Sequence, residues 1–348
     1  MGDKNQQLLI GGKEFAPGES GVVDIHVGNL VTHDDLHLSV HVRRGEKPGP
    51  RLLLTAALHG DEINGVEILR QVLRRRILRK LRGDLIVIPI VNEPAFVGRS
   101  RYMPDRRDLN RLFPGSKTGS LGSKLARALS AEVAPHCTHG IDFHTGAVNR
   151  PNLPQIRICA DVSGTADLAR AFGAPAVLDA PVRPGSFREV FHSAGKPMLM
   201  FEGGEADVLD PATIRIGVRG VLSVMRQLGM LPGTPRSDFS QTICSESWWE
   251  RAPCGGLFKP VVEMGKTVEP ETLLGMIADP FGGKETQVLA QREGIVIGRA
   301  KQAVVDEGDG LFHVAWTERL ECVVETVAAD SIYDDQLDQP VFDDPMSD

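Results

Sequence analysis

An apolar run of strand length, Leu52-Leu53-Leu54-Thr55-Ala56-Ala57-Leu58, breaks off into His59-Gly60-Asp61-Glu62, and a helix-like pattern follows at once. A strand that passes directly into a helix belongs to an α/β protein, where ligands bind at the carboxyl ends of parallel strands. His59 and Glu62 stand at such an end, three residues apart on a turn, and both can point into one hole. One imidazole and one carboxylate make two thirds of a catalytic zinc site, which keeps its fourth position open for water. The missing ligand should be a His from another strand end, and Ile141-Asp142-Phe143-His144-Thr145-Gly146 offers one. A His and an acid at this spacing also occur by chance. The placement, the second strand ending in His, and an acid at a third strand end, Glu202, argue for a site.

The rest of the chain supports the α/β reading. Residues 22–27 and 36–42 alternate apolar and polar residues and predict two early strands around a turn at His33-Asp34-Asp35. After Glu62, the residues Val66, Leu69, Leu73 and Ile77 fall at helical spacing, and Gly83 is expected to stop that helix. Leu85 to Val91 reads as a buried strand without alternation. The polar, Arg-rich stretch from Ser100 to Gly115 is long for a loop, and long ordered loops carry function. Leu121 to Val133 is helical, residues 140–143 and 156–160 are strands, and Thr165 to Phe172 is a short helix. Ser186-Phe187-Arg188-Glu189 has capping-box form, so a helix starts there. Pro197 to Phe201 is a strand that delivers Glu202 at its end. Asp210-Pro211 opens a helix that Gly229 closes.

Strands alternating with helices predict a mixed, largely parallel sheet wound with helices on both faces. Residues 1–235 form that α/β domain, and Met230 to Ser240 reads as a linker. Beyond it, short apolar pieces between Gly-, Pro- and Asp-rich turns predict a smaller all-β domain over 241–330. It contains an internal echo: Gly265 to Val268 leads to Leu273 to Ile277, as Val304 to Asp309 leads to Leu311 to Val314. Residues 331–348 are an acidic tail, expected to be disordered.

Charge excludes two partner classes. The net charge is −7, and the stretch from Asp334 to Asp348 holds six Asp and no Lys or Arg, so the body is close to neutral. That is no footprint for nucleic acid or an anionic membrane. No apolar run approaches the ~20 residues of a membrane span. Five scattered Cys without a C-x-x-C pair fit a reducing cytoplasm.

The strand-end residues divide into roles. His59, Glu62 and His144 are expected to hold one Zn²⁺ per chain as a His₂Glu set, polarising an amide carbonyl and lowering the pKa of water. Glu202 takes a proton from that water and passes it to the leaving nitrogen, with Glu205 as the rival base. Arg101 stabilises the developing oxyanion. Asn110 and Arg111 fix a substrate carboxylate, which a guanidinium matches bidentately.

The ordered motifs H-G-D-E at 59–62, R-Y at 101–102, D-L-N-R at 108–111, D-F-H-T-G at 142–146 and the acidic strand end at Glu202 resemble the succinylglutamate desuccinylase/aspartoacylase family, the acylase branch of the zinc carboxypeptidase-like fold. The resemblance covers roughly residues 50–230. It implies zinc-dependent hydrolysis of a small N-acyl amino acid or related amide, and it adds Arg188 as a further substrate residue. The C-terminal region is similar to a biotinyl/lipoyl-like sandwich but lacks the usual modified lysine; Lys284 is read as an ordinary hairpin residue. The loop between Arg101 and D-L-N-R looks longer than in aspartoacylase, and only Tyr102 and Tyr333 are available as tyrosines, which leaves the acyl group and amine open. So does the oligomeric state, a homo-oligomer included. Two rival readings remain: a zinc carboxypeptidase acting on small peptides, and a non-catalytic ligand- or partner-binding protein. A serine hydrolase is disfavoured, because no G-x-S-x-G occurs.

Overall fold

The computed structural model describes residues 7–235 and 241–316. A hairpin of β1 (Leu8–Ile10) and β2 (Lys13–Phe15) precedes two long antiparallel strands, β3 (Ser20–Asn29) and β4 (Asp35–Arg44). Then come β5 (Lys47–Ala56), α1 (Asn64–Leu73), β6 (Arg82–Ile88), α2 (Glu93–Val97), α3 (Leu121–Ala128) and β7 (His139–Gly146). Next are β8 (Asn152–Ile158), α4 (Thr165–Phe172), β9 (Ala176–Asp179), α5 (Phe187–Ser193), β10 (Met198–Glu205) and α6 (Pro211–Gln227). In space the strands run β8-β10-β7-β5-β6-β4-β3. The middle four are mutually parallel; β8 on one side and β4 and β3 on the other run antiparallel to their neighbours.

β5 shows why its sequence does not alternate. Leu52, Leu54 and Ala56 join a core with α1, α4 and α6, whereas Leu53 points into a second core with α3, α5 and β4. Both faces are dry, so both need apolar side chains. Phe143 and Phe201, register partners on β7 and β10, pack into the first core with ring centroids 5.6 Å apart. Their successors in sequence, His144 and Glu202, therefore point to the opposite face.

The structure corrects several boundaries. The helix expected to run until Gly83 ends at Leu73, Arg75 is extended, and a 3₁₀ turn covers Arg76–Lys80. The break redirects the chain so that Leu78 and Leu81 reach the first core. Met230 and Leu231, expected to open a linker, are buried, and Met230 accepts a bond from the Arg82 N–H. Strand β8 begins four residues before Ile156, and β9 was not foreseen. Glu202 lies inside β10 rather than at its end, because a register shift between Glu202 and Glu205 lets the strand continue past Gly203 and Gly204. Residues 236–240, the 317–330 part of the expected β domain and the acidic 331–348 stretch lie outside the described residues.

The C-terminal region is antiparallel and all-β. After β11 (Thr242–Cys244) come β12 (Glu246–Arg251), β13 (Gly256–Pro260), β14 (Thr267–Val268), β15 (Leu273–Ala278), β16 (Glu285–Leu289), β17 (Gly294–Arg299), β18 (Val304–Val305) and β19 (Gly310–Trp316). The internal echo has a structural counterpart. Short β14 pairs with β17 while β15 pairs with β13; short β18 pairs with β13 while β19 pairs with β17. Strands β16 and β12 flank β15 and β19 in the same way. The two halves thus exchange partners about a pseudo-twofold axis. The region is also joined to the large sheet: β11 runs parallel to β9, and β17 meets β8 at Gly298 and Asn152.

Candidate active site

Three neighbouring strands supply the site in register. Thr55 of β5 lies opposite Asp142 of β7, and His144, two residues on, lies opposite Glu202 of β10. Just past β5 the chain turns at Ala57, whose φ of +50° is rare for a residue with a side chain. Hydrogen bonds from Val91 and Asn92 to the carbonyls of Ala56 and Ala57 hold this turn. Gly60 is required by contact: a Cβ there would stand 2.0 Å from the Ala95 carbonyl carbon of α2. The H-G-D-E turn is thus clamped against α2, and His59 and Glu62 are aimed inward.

Glu62 is the hub. One carboxylate oxygen lies 2.8 Å from His59 Nδ1 and the other 2.8 Å from His144 Nδ1, and the Thr145 N–H donates to the latter oxygen at 3.2 Å. The remaining imidazole nitrogens also face carboxylates: His59 Nε2 is 3.0 Å from Asp108, and His144 Nε2 is 2.7 Å from Asp142. Thr55 donates to the other Asp142 oxygen at 2.7 Å. The Arg101 guanidinium bridges Glu62 at 3.0 Å and Asp108 at 3.1 Å. His59, Glu62 and His144 are almost fully buried.

These contacts set the protonation behaviour. Burial opposes a charged His59, but Glu62 and Asp108 outweigh it and raise its pKa. Burial likewise opposes charge on His144, and Asp142 and Glu62 lift it well above the ordinary range. Burial would raise Glu62, yet the two imidazoles drive it far below a normal carboxylate. Asp108 is low for the same kind of reason, through His59 and Arg101 against its own burial.

The donor set fits a divalent cation. Ligand atoms of His59, Glu62 and His144 all lie within 4.8 Å of one another. Each histidine uses its second nitrogen on a carboxylate, as metal-ligating histidines do, which fixes the tautomer and the ring. The three carboxylates bonded to the imidazoles and the single guanidinium leave two negative charges if both rings are neutral, the charge a divalent ion cancels. Two imidazoles, a carboxylate and a buried setting suit Zn²⁺.

Glu202 adjoins this cluster across the strand pair. It accepts from Asn152 at 2.8 Å and lies 3.6 Å from Arg157. Glu205 sits further along β10 and is tied to Lys301 of the C-terminal region at 2.9 Å. Asn110 is buried, and its Oδ1 accepts from the Phe187 N–H at 2.8 Å, linking the D-L-N-R turn to the start of α5. Arg111 bonds the Asn110 carbonyl and contributes to the low Asp108 pKa. Arg188 is buried on α5, with its guanidinium on the carbonyls of Ile158 (3.2 Å) and Pro181 (2.7 Å) rather than on the histidine cluster. Asp108, Asp142, Asn152 and Arg157 were not assigned roles from sequence. Asp142 had a signal, standing two residues before His144 on the same strand face; the other three are brought in by the fold alone.

A recess of about 1400 Å³ elsewhere, lined by basic residues such as Arg76, Arg79 and Arg82, holds none of these groups. No described helix is long and apolar enough to cross a membrane.

A family model described as the succinylglutamate desuccinylase/aspartoacylase catalytic domain matches residues 48–228, just over half of the chain. An N-alpha-acetyl-L-2,4-diaminobutyric acid deacetylase from Halomonas elongata is 28% identical over 291 residues, covering 79% of this chain and 84% of the relative. A solved succinylglutamate desuccinylase/aspartoacylase structure from Rhodobacter sphaeroides is 27% identical with a TM-score of 0.77, covering 85% of this chain and 95% of that one. The product-bound Ectoine utilization protein EutE (DoeB) from Ruegeria pomeroyi has the same TM-score of 0.77 at 24% identity, covering 86% and 95%, a likeness of fold.

Proposed function

This chain belongs to the succinylglutamate desuccinylase/aspartoacylase family, and from that premise we propose that it is a zinc-dependent amidohydrolase that removes the acyl group from a small N-acyl amino acid. The observation that carries this reading is the buried His59–Glu62–His144 cluster, with a carboxylate behind each imidazole and Glu202 in register beside it. A Zn²⁺ held by those three residues would supply Lewis-acid polarisation of the amide carbonyl and a lowered pKa for water.

The protein's own groups do the rest. Glu202, oriented by Asn152, accepts the proton of the attacking water and delivers it to the departing nitrogen. Arg101 has five N–H groups and spends two on the bonds to Glu62 and Asp108; the others are donors for the oxyanion that develops as the carbonyl is attacked. Asn110, Arg111 and Arg188 would take the free carboxylate of the substrate, Arg188 with the N–H groups that its bonds to Ile158 and Pro181 leave over. Arg157 belongs with them, since it lies within reach of Glu202. The C-terminal strands wall the mouth, with Lys301 on Glu205 and Arg299 N–H on the Pro151 carbonyl.

The relative from Halomonas elongata makes N-alpha-acetyl-L-2,4-diaminobutyric acid the first compound to assay, beside N-succinylglutamate and unmodified dipeptides. Purified protein should hold about one Zn²⁺ per chain, and His144→Ala should lose most of it together with amide hydrolysis. Cleavage of dipeptides in preference to every N-acyl amino acid would favour the carboxypeptidase reading. Full activity in zinc-free His144→Ala would end the metal assignment.

A further inference from the structure

Away from the buried cluster, a second set of ligand-type side chains converges. Cys159 directly follows β8, Asp161 lies in the loop before α4, and His192 sits in the last turn of α5. One ligand atom from each lies within 4.8 Å of the other two. His192 Nε2 is 3.0 Å from Asp161 Oδ2, and the Cys159 thiol bonds to Asp161. Ligands around a tetrahedral Zn²⁺ with bonds of ~2.0–2.3 Å stand about 3.3–3.7 Å apart. The trio therefore needs only small adjustments to surround an ion.

The three residues come from different elements, each held independently. The Cys159 carbonyl accepts from Val162 N–H, and the adjacent Ala160 N–H donates to Asp179. His192 rides on a helix whose start is capped by Ser186. A thiol, an imidazole and a carboxylate together suit a borderline-soft ion such as Zn²⁺ or Co²⁺ rather than Mg²⁺ or Ca²⁺. Asp161 is largely exposed, so an ion can arrive from solvent and water can complete its coordination.

We propose that Cys159, Asp161 and His192 form a second divalent-metal site, separate from the His59–Glu62–His144 cluster. An ion there ties the loop after β8 to the end of α5. That helix carries Arg188 one turn before His192, and its first N–H group holds Asn110. The second ion would thus brace the wall of the site without entering it. A cysteine ligates as the thiolate, so binding of the ion releases its proton.

The test uses the full chain with its buried cluster first loaded with Zn²⁺. Adding Co²⁺ should develop a near-ultraviolet thiolate-to-cobalt charge-transfer band that saturates at about one equivalent. The buried cluster contains no sulfur and is silent in this readout. Cys159→Ser should abolish the band. Asp161→Asn, at an exposed position that leaves the fold intact, should shift the titration to higher cobalt, and Cys254→Ser should change nothing. Absence of the band in the unsubstituted protein overturns the proposal, and so does a band that survives Cys159→Ser.

Discussion

At the carboxyl ends of β5 and β7, Glu62, Asp108, Asp142, Arg101 and two imidazoles lie close together, every one bonded to at least one of the others. At the amino ends of β5 and β6, the recess of about 1400 Å³ gathers exposed Lys47, Arg76, Arg79, Lys80 and Arg82, with Glu46 the one acid in its lining. Arg43, half-buried beside them, is lowered by burial and by Arg79. The contrast separates two ways of carrying dense charge. Buried charges must be paired, and losing one partner strands the other. Exposed like charges are screened by water and salt and can be crowded at little cost. The basic recess is therefore the weaker candidate for chemistry, and dense buried pairing marks the other end.

The sharpest way to break this comparison is Glu202→Gln, which keeps the shape and removes the proton acceptor. The value of kcat should fall by ~10²–10⁴-fold, with zinc content unchanged. Near-normal kcat in that variant, with a collapse in Glu205→Gln, would move the base three residues along β10. Next in size is Asp142→Asn, which weakens the hold on the far nitrogen of His144. Zinc affinity measured by chelator competition should drop by about 10–100-fold; unchanged affinity would show that the carboxylate behind the ring is dispensable.

The third effect concerns pH. His313 is stacked on Trp249, at 4.8 Å between ring centroids, and burial, helped by Arg157, lowers its pKa from 6.5 to about 3. The unfolded chain then binds a proton near pH 6.5 that the folded chain refuses until near pH 3. The stability contributed by neutral His313 is present above 6.5 and is lost as pH falls towards 3, at up to about 1.4 kcal/mol per pH unit. Denaturation of His313→Gln at pH 7 and pH 5 should show a smaller pH difference than the parent protein; an equal difference would place the acid sensitivity elsewhere. The smallest effect belongs to the amino end. Arg76→Ala and Arg79→Ala should each change stability by no more than about 0.5 kcal/mol and leave kcat alone. A large loss from either would mean that this end too depends on pairing.

His59, Glu62 and His144 could be read from sequence because each follows an apolar run, and strand ends converge in α/β sheets. The place of Glu202 beside His144 was legible for the same reason, although the strand continues beyond it. Asp108 was present within the D-L-N-R motif but gave no sign that it reaches His59, 49 positions away. Arg157 looked like any polar residue on a strand. The direction of β8 was equally hidden, since an apolar run does not say whether its neighbour runs parallel or antiparallel. The helix over 66–83 was misread because hydrophobic spacing does not record a single extended residue at Arg75.

The outer side of β8 is shared between an early partner and a late one. β9 runs along Gln155–Ile158, β17 meets Asn152, and β11 covers β9 in turn. During synthesis, β8 leaves the ribosome well over a hundred residues ahead of β17. At ~5–20 residues per second, that interval is on the order of ten seconds. For that time the Asn152 end of β8 lacks its outer partner and is able to pair with another chain. Until the last strands arrive, the protein's exposure to misassembly is governed by the pace of translation and by chaperone occupancy rather than by the stability of the finished fold.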